Sequence, residues 1–254
     1  MKFSANLGFL WADLPLSEAI AHAAAAGFDA VECHWPYDNC DHKKVKLALA
    51  TADMTMLSLN TRRGDVEAGD FGLSAIPDRD DEARAAIDEA LSWARNVNVP
   101  NVHVMAGIVE GERARNTFIA NLAYAAEKAA MSGITILIEP INHFDVPGYF
   151  LNTTDQAIAI IDEVDAPNLK LMFDCYHVQL MEGNLTRRLA ELQPYIGHIQ
   201  FAGVPARNEP DVSEVDYGFI FAAIKDLNYE QAIGAEYIPA TTTEAGLAWM
   251  KKLA

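Results

Sequence analysis

The chain has 254 residues, 51% of them hydrophobic and 22% charged, and its 36 acidic side chains outnumber 19 lysines and arginines to give a formal charge of −17. This is the composition of a folded globular protein, and no apolar run approaches the roughly 20 residues of a membrane span. A surface this acidic repels phosphate backbones and anionic lipid, so neither nucleic acid nor membrane is expected as a partner, and an anionic substrate needs a cationic site of its own.

Along the chain, Val- and Ile-rich runs alternate with Ala-rich amphipathic stretches. Strands are predicted at Phe3–Gly8, Ala30–Cys33, Met54–Leu59, Asn101–Met105, Ile134–Glu139, Leu169–Asp174, Ile196–Phe201 and Ala232–Glu236. Helices are predicted at Leu16–Ala26, Lys43–Ala52, Asp80–Asn96, Arg113–Met131, Thr154–Glu163, Leu185–Leu192, Tyr217–Leu227 and Thr242–Lys251. Gly27 and Gly133 mark helix ends ahead of strands, and Thr153–Gln156 and Thr241–Glu244 have capping-box spacing. Eight strand–helix alternations in about 250 residues predict an α/β fold, a single closed (β/α)8 TIM barrel spanning residues 1–254 as one domain. The long segments 60–79, 140–152 and 202–216 all follow strands, on the face where such barrels hold their chemistry. Asp13 and Glu18 interrupt what would otherwise resemble a signal peptide, and Cys33, Cys40 and Cys175 are too few and too far apart for a disulfide framework. A reducing, cytoplasmic setting is expected.

The most informative pattern lies at the ends of the last four strands, which run into Glu139, Asp174, Gln200 and Glu236. Four oxygen-bearing side chains then converge on one rim of the barrel. Three crowded carboxylates raise one another's pKa unless a cation lies between them. The all-oxygen set suits a hard divalent ion, Mg²⁺ or Mn²⁺, and the alternative is a metal-free site in which a glutamate holds a proton. Arg207 is placed either as the partner of a substrate carboxylate or as a surface arginine paired with Glu209 or Asp211. His177 is placed either in the pocket or as a cap on a short helix. Asn60, His34 and His103 are candidate lining residues, with a satisfied core histidine as the other reading of His103. Trp11, Trp35 and Phe144 are candidate apolar walls. No GxGxxG, P-loop, GxSxG or HExxH motif is present, so dinucleotide, nucleotide and serine-hydrolase functions have no support.

At these residues the sequence resembles the hydroxypyruvate isomerase family of xylose isomerase-like TIM barrels. The resemblance is carried by Ile138-Glu139-Pro140-Ile141-Asn142, Phe173-Asp174-Cys175-Tyr176-His177, His198–Pro205, Arg207-Asn208-Glu209-Pro210 and Gly234-Ala235-Glu236-Tyr237. It implies that Glu139 and Glu236 act as acid and base and that His177 and Arg207 contact substrate. It also implies that Glu139, Asp174, Gln200 and Glu236 stand where related epimerases hold a divalent metal. Those epimerases usually carry histidine where this chain has Gln200, and an amide binds a cation more weakly. The implied reaction is isomerisation of a small hydroxy-oxo acid, in the simplest case hydroxypyruvate to tartronate semialdehyde through an enediolate. The alternatives are isomerisation of 2-oxo-tetronate, 3-epimerisation of a ketose, or a non-catalytic sugar-acid binding protein. Oligomeric state is open, a homo-oligomer included.

Overall fold

The computed structural model of the protein describes residues 1–38 and 40–253, so only the final residue of the predicted domain and Asn39 lie outside it. Its strands are β1 (Phe3–Asn6), β2 (Ala30–Glu32), β3 (Thr55–Met56), β4 (Ser58–Asn60), β5 (Asn101–His103), β6 (Thr135–Ile138), β7 (Leu169–Asp174), β8 (Ile196–Phe201) and β9 (Ile233–Ala235). All pair in parallel, in the order β3-β2-β1-β9-β8-β7-β6-β5-β4. The two short strands at the ends of that order are halves of the predicted third strand, divided at Leu57. Leu57 N donates to Val31 O at 2.7 Å and Cys33 N to Ser58 O at 3.1 Å, so the hydrogen bonds cross the division and the barrel closes.

The helices are α1 (Leu16–Ala26), α2 (His42–Ala52), α3 (Asp80–Val97), α4 (Glu112–Ala130), α5 (Thr154–Val164), α6 (Cys175–Met181), α7 (Leu185–Leu192), α8 (Tyr217–Asp226), α9 (Thr243–Gly246) and α10 (Trp249–Leu253). None is long and apolar enough to cross a membrane. The Thr153 cap forms as predicted, its hydroxyl accepting from Gln156 N, but the return bond is displaced by one residue, Gln156 Oε1 accepting from Asn152 N. The second box is shifted by one residue. Thr242 caps α9 through Ala245 N, and Glu244 instead accepts from the Trp11 indole at 2.6 Å. The helix predicted at Thr242–Lys251 is therefore two short pieces. Helix α6, the short helix expected beyond Asp174, starts with no loop at all: Asp174 ends β7 and also caps α6, accepting from Tyr176 N at 2.8 Å.

Strand alternation sorts the core into two layers. Outward residues such as Val31, Val102, Ile136, Phe173 and Ile233 are fully buried under the helices. Small side chains on α3 and α4, including Ala83, Ala90, Ala94 and Ala125, let those helices lie close. At the seam between the first and last strands, Phe3 packs against Trp249 of α10 at 4.9 Å and Phe221 of α8 at 5.5 Å. The inward layer is unlike the branched aliphatic filling usual in these barrels. The register aligns Ser4, Gln200 and Gly234 on the inner face, with Glu32 and Asn6 paired across β1 and β2.

Candidate active site

Each barrel strand ends in a polar side chain aimed at one rim. Asn6, Glu32, Asn60, His103 and Asp174 close their strands, Glu139 and Glu236 follow β6 and β9 directly, and Gln200 lies on the inner face of β8. All eight are largely or wholly buried. Above them lies a cavity of about 70 Å³ lined by Asn60, His103, Glu139, His177, Arg207 and Glu236, with Phe9, His34, Trp35 and Phe71 among its other walls. Of the predicted apolar walls, Trp35 is in place. Phe144 is 65% exposed, and Trp11 borders a separate hollow beside Pro239 and Glu244. That hollow is larger but gathers no comparable set of buried ionisable groups.

Glu236 is the most heavily bonded group in the site. It accepts from Asn6 Nδ2 and lies against His34 Nε2, both at 2.9 Å from Oε1, while Arg207 Nη2 donates to Oε2 at 2.7 Å. Burial pushes this carboxyl up, but Arg207 and His34 more than offset it and hold it at about 2. Glu139 has the opposite environment. Burial, then the charges of Glu236 and Asp174, raise it well above the ordinary range, and its Oε1 has no hydrogen-bond partner. Asp174 is raised to about 7, chiefly by burial and next by Glu236. The two glutamates are thus pushed in opposite directions, Glu139 up and Glu236 down, within one site.

Arg207 pairs with neither Glu209 nor Asp211, which disposes of the surface reading. Glu209 accepts from Ala240 N, and Asp211 pairs with Lys252. The Arg207 guanidinium instead spans Glu236, Asp145 at 3.4 Å and Asp174 at 3.9 Å, between the rings of Phe9 and Tyr176. Its backbone takes a left-handed φ of 56°, held by Gly203 N to Asn208 O and Ile238 N to Arg207 O, both 2.7 Å. Such strain persists only where the surroundings fix it.

His177 does not cap α6; it lies within that helix and lines the cavity. Its Nδ1 faces two donors, Asn142 Nδ2 at 2.6 Å and Asn142 N at 3.3 Å. The amide orientation is fixed in turn, because Asn142 Oδ1 accepts from Phe144 N and Asp145 N. Nδ1 is thus an acceptor, and the proton of the neutral ring is on Nε2, which lies 3.6 Å from Asp174 and 3.8 Å from Glu139. Burial, then the Arg207 charge, holds the ring well below its usual pKa, so it stays neutral. His103, at about 4 for the same first cause, lies 3.6 Å from Glu139. The pocket reading of His103 therefore holds and the satisfied-core reading does not: the ring is buried and lines the cavity, but neither of its nitrogens has a hydrogen-bond partner.

Ligand atoms of Glu139, Asp174, His177 and Glu236 lie within 4.8 Å of one another, close enough to share a metal ion. The donor set fits a hard cation. Glu139 Oε1, Asp174 Oδ2 and Gln200 Oε1 are buried oxygens without a hydrogen-bond partner, whereas both nitrogens of His177 are already committed, one as acceptor and one as N–H. Asn6, Glu32, Asn142 and Asp145 were not singled out from the sequence. The first two lie inside the predicted strands Phe3–Gly8 and Ala30–Cys33, and only the shorter observed strands place them at strand ends. Arg63 was also missed: it stacks on the Trp35 indole at 3.9 Å and has no carboxylate partner among the described residues.

Comparison with known proteins agrees with this geometry. A family profile described as a xylose isomerase-like TIM barrel matches residues 20–253. The 2-oxo-tetronate isomerase of Cupriavidus necator is 43% identical, covering 98% of this chain and 97% of that protein. The hydroxypyruvate isomerase of Escherichia coli is 39% identical, covering 98% of each. A solved structure described as an AP endonuclease, family 2, from Brucella melitensis superimposes with a TM-score of 0.95 at 38% identity over 99% of this chain and 98% of that one. The D-psicose 3-epimerase of Clostridium cellulolyticum, 17% identical with a TM-score of 0.79 over 97% of this chain and 89% of that one, shares the fold. On these matches the chain belongs to the xylose isomerase-like TIM-barrel family and is one of its isomerases.

Proposed function

We propose that the protein isomerises a small hydroxy-oxo acid by proton transfer through an enediolate, with hydroxypyruvate to tartronate semialdehyde as the simplest case. The observation that carries this reading is the pairing in one small cavity of Glu236, bonded by Arg207, His34 and Asn6, with Glu139, whose buried Oε1 has no hydrogen-bond partner. Ionised Glu236 removes the proton from the hydroxyl-bearing carbon, and the electron pair moves onto the carbonyl oxygen. The hydroxyl proton passes to that oxygen within the enediolate. The electron pair then returns from the other oxygen, which becomes the aldehyde, as the former carbonyl carbon takes the proton held by Glu139. Arg207 and the Nε2–H of His177 are donors for the charge that develops. A positioned carboxyl group supplies about 10²–10⁴ in rate, so these donors carry much of the remainder. Glu139, Asp174, Glu236 and Gln200 would hold a divalent cation, Mg²⁺ or Mn²⁺, which when bound supplies Lewis-acid stabilisation of the oxyanion.

Cavity size supports a short acid over a hexose. A water needs about 10–15 Å³ by this kind of measure, so the cavity of about 70 Å³ takes five to seven water-sized groups. Relatives named for the four-carbon acid, 2-oxo-tetronate, and for hydroxypyruvate are each 43% identical, so both acids are candidate substrates. An endonuclease role is disfavoured by the charge of −17 and by a site built largely of carboxylates. A cytoplasmic setting is consistent with three free thiols. The test is NMR in D₂O with hydroxypyruvate and, separately, 2-oxo-tetronate, with and without EDTA and Mn²⁺. Conversion of either acid with deuterium next to the carbonyl is expected. No conversion and no exchange with either would sink the reading.

A further inference from the structure

One layer beneath the carboxylates, the barrel interior holds a second polar group that the mechanism does not use. Glu32 on β2 is fully buried, and its Oε2 accepts from Gln200 Nε2 at 2.7 Å. Ser58 Oγ donates to the same oxygen at 3.4 Å. His198 Nε2 lies 3.0 Å from Glu32 Oε1 without making a hydrogen bond to it. To reach Gln200 on β8, Glu32 crosses the inner faces of β1 and β9. Gly234 keeps that path open: a Cβ there would lie 2.2 Å from Glu32 Oε1 and 2.8 Å from Gln200 Cγ.

The contact decides how the Gln200 amide is turned. The two ends of an amide have nearly the same shape, and only bonding partners distinguish them. Carboxylate oxygens accept, so the end facing Glu32 is Nε2, and Oε1 is left on the other side without a partner. Asp174 is the register partner of Gln200 on the neighbouring strand, so Gln200 lies beside a member of the carboxylate cluster. Reversal of the amide would present N–H groups to a cation and oppose two acceptors at Glu32.

We infer that Glu32 is a positioning residue that fixes Gln200 with its carbonyl oxygen available to a divalent cation held by Glu139, Asp174 and Glu236. It acts on the cation only through the amide. The inference rests on the reading that this site binds such a cation. Partners that orient a ligand typically alter metal affinity by about 10–100-fold when removed.

The test is calorimetric titration of the full chain with Mn²⁺ alone, which requires no turnover. Glu32→Met removes the acceptor while keeping length, and is expected to weaken Mn²⁺ binding about tenfold. Glu32→Gln keeps an acceptor oxygen and should recover most of that loss. In a Gln200→Ala background, Glu32→Met should cause no further loss, because its effect passes through the amide. Wild-type Mn²⁺ affinity in Glu32→Met, or an equal loss in both backgrounds, would overturn the inference. Should Glu32→Met fail to fold, Glu32→Asp, one methylene short of Gln200, is measured in the same two backgrounds against the same criteria. Wild-type protein that isomerises the acid but takes up no Mn²⁺ would remove the metal reading and this inference together, leaving the isomerase standing. Tight wild-type binding that is indifferent to residue 32 would remove the inference alone.

Discussion

Arg207 Nη2 donates to Glu236 Oε2 at 2.7 Å, and with His34 it offsets the burial that pushes the Glu236 carboxyl up. Arg207→Ala removes that compensation, and the Glu236 carboxyl rises. A base works only when ionised, so the acid limb of the kcat/pH profile should move to higher pH, with a loss at pH 7 of about 10²-fold or more. Arg207→Lys keeps the charge without the fork and should shift the limb less. An unmoved limb in the alanine variant would show that other groups set the pKa of Glu236.

Glu139→Gln and Glu236→Gln should each lower kcat by about 10²–10⁴. Both variants should keep the wild-type circular dichroism spectrum, since an amide fills the same space. The expected loss differs in its pH response. Glu139→Gln removes a proton donor, whereas Glu236→Gln removes the only member of the pair that is ionised at neutral pH. Near wild-type turnover in both variants would end the two-glutamate mechanism.

Stability of the metal-stripped protein should fall as pH rises from about 4 to 7. Asp174 is at about 7 in the fold against an ordinary 3.8. Between these values the folded state holds a proton that the unfolded state has released, and this group alone gives a slope of about −1.4 kcal/mol per pH unit. Glu139, also raised, adds the same sign above its ordinary 4.5. Glu236 works in reverse: held at about 2, its stabilisation is present above 4.5 and lost as pH falls towards 2. Thermal melts in EDTA should show the decline, and Mn²⁺ should abolish it by replacing the protons. Parallel profiles with and without Mn²⁺ would contradict the cation reading.

Gly8→Ala should disable the site through His34. A Cβ at residue 8 would lie 2.1 Å from His34 Nδ1, so the ring must move, and with it the 2.9 Å contact to Glu236. Overpacking of this kind costs about 1–3 kcal/mol in stability. Turnover should fall further than the melting temperature suggests, and an active variant with unchanged kcat would show that His34 is dispensable.

The barrel was legible from hydrophobic alternation because each strand is an apolar run that ends on a polar side chain. The third strand was legible as one element; its division at Leu57 was not, since Met54–Leu59 carries no bulge residue. The carboxylates of the site were legible for the same reason as the strands, whereas Asn6 and Glu32 were hidden because Leu7 and Cys33 carry the apolar pattern past them. What the sequence withholds is pairing across the barrel. Nothing local to Arg207 distinguishes Glu236 from Glu209 as its partner. The protonated nitrogen of His177 depends on Asn142, a residue on another loop. The start of helix α6 escaped because one residue, Asp174, serves as strand end, helix cap and member of the carboxylate cluster.

The seam between β1 and β9 joins parts of the chain that are far apart in sequence, and Asn6 and Glu236, which bond across it, are 230 residues apart. Contacts of such long range are the most costly in chain entropy to bring together. The same seam separates Asn6 and His34 on one side from Glu236 and Arg207 on the other. Loosening it would part the base from two of its three partners while most helices and strand pairs remain formed. Under mild heat or denaturant, the enzyme should fall silent while its backbone still looks native.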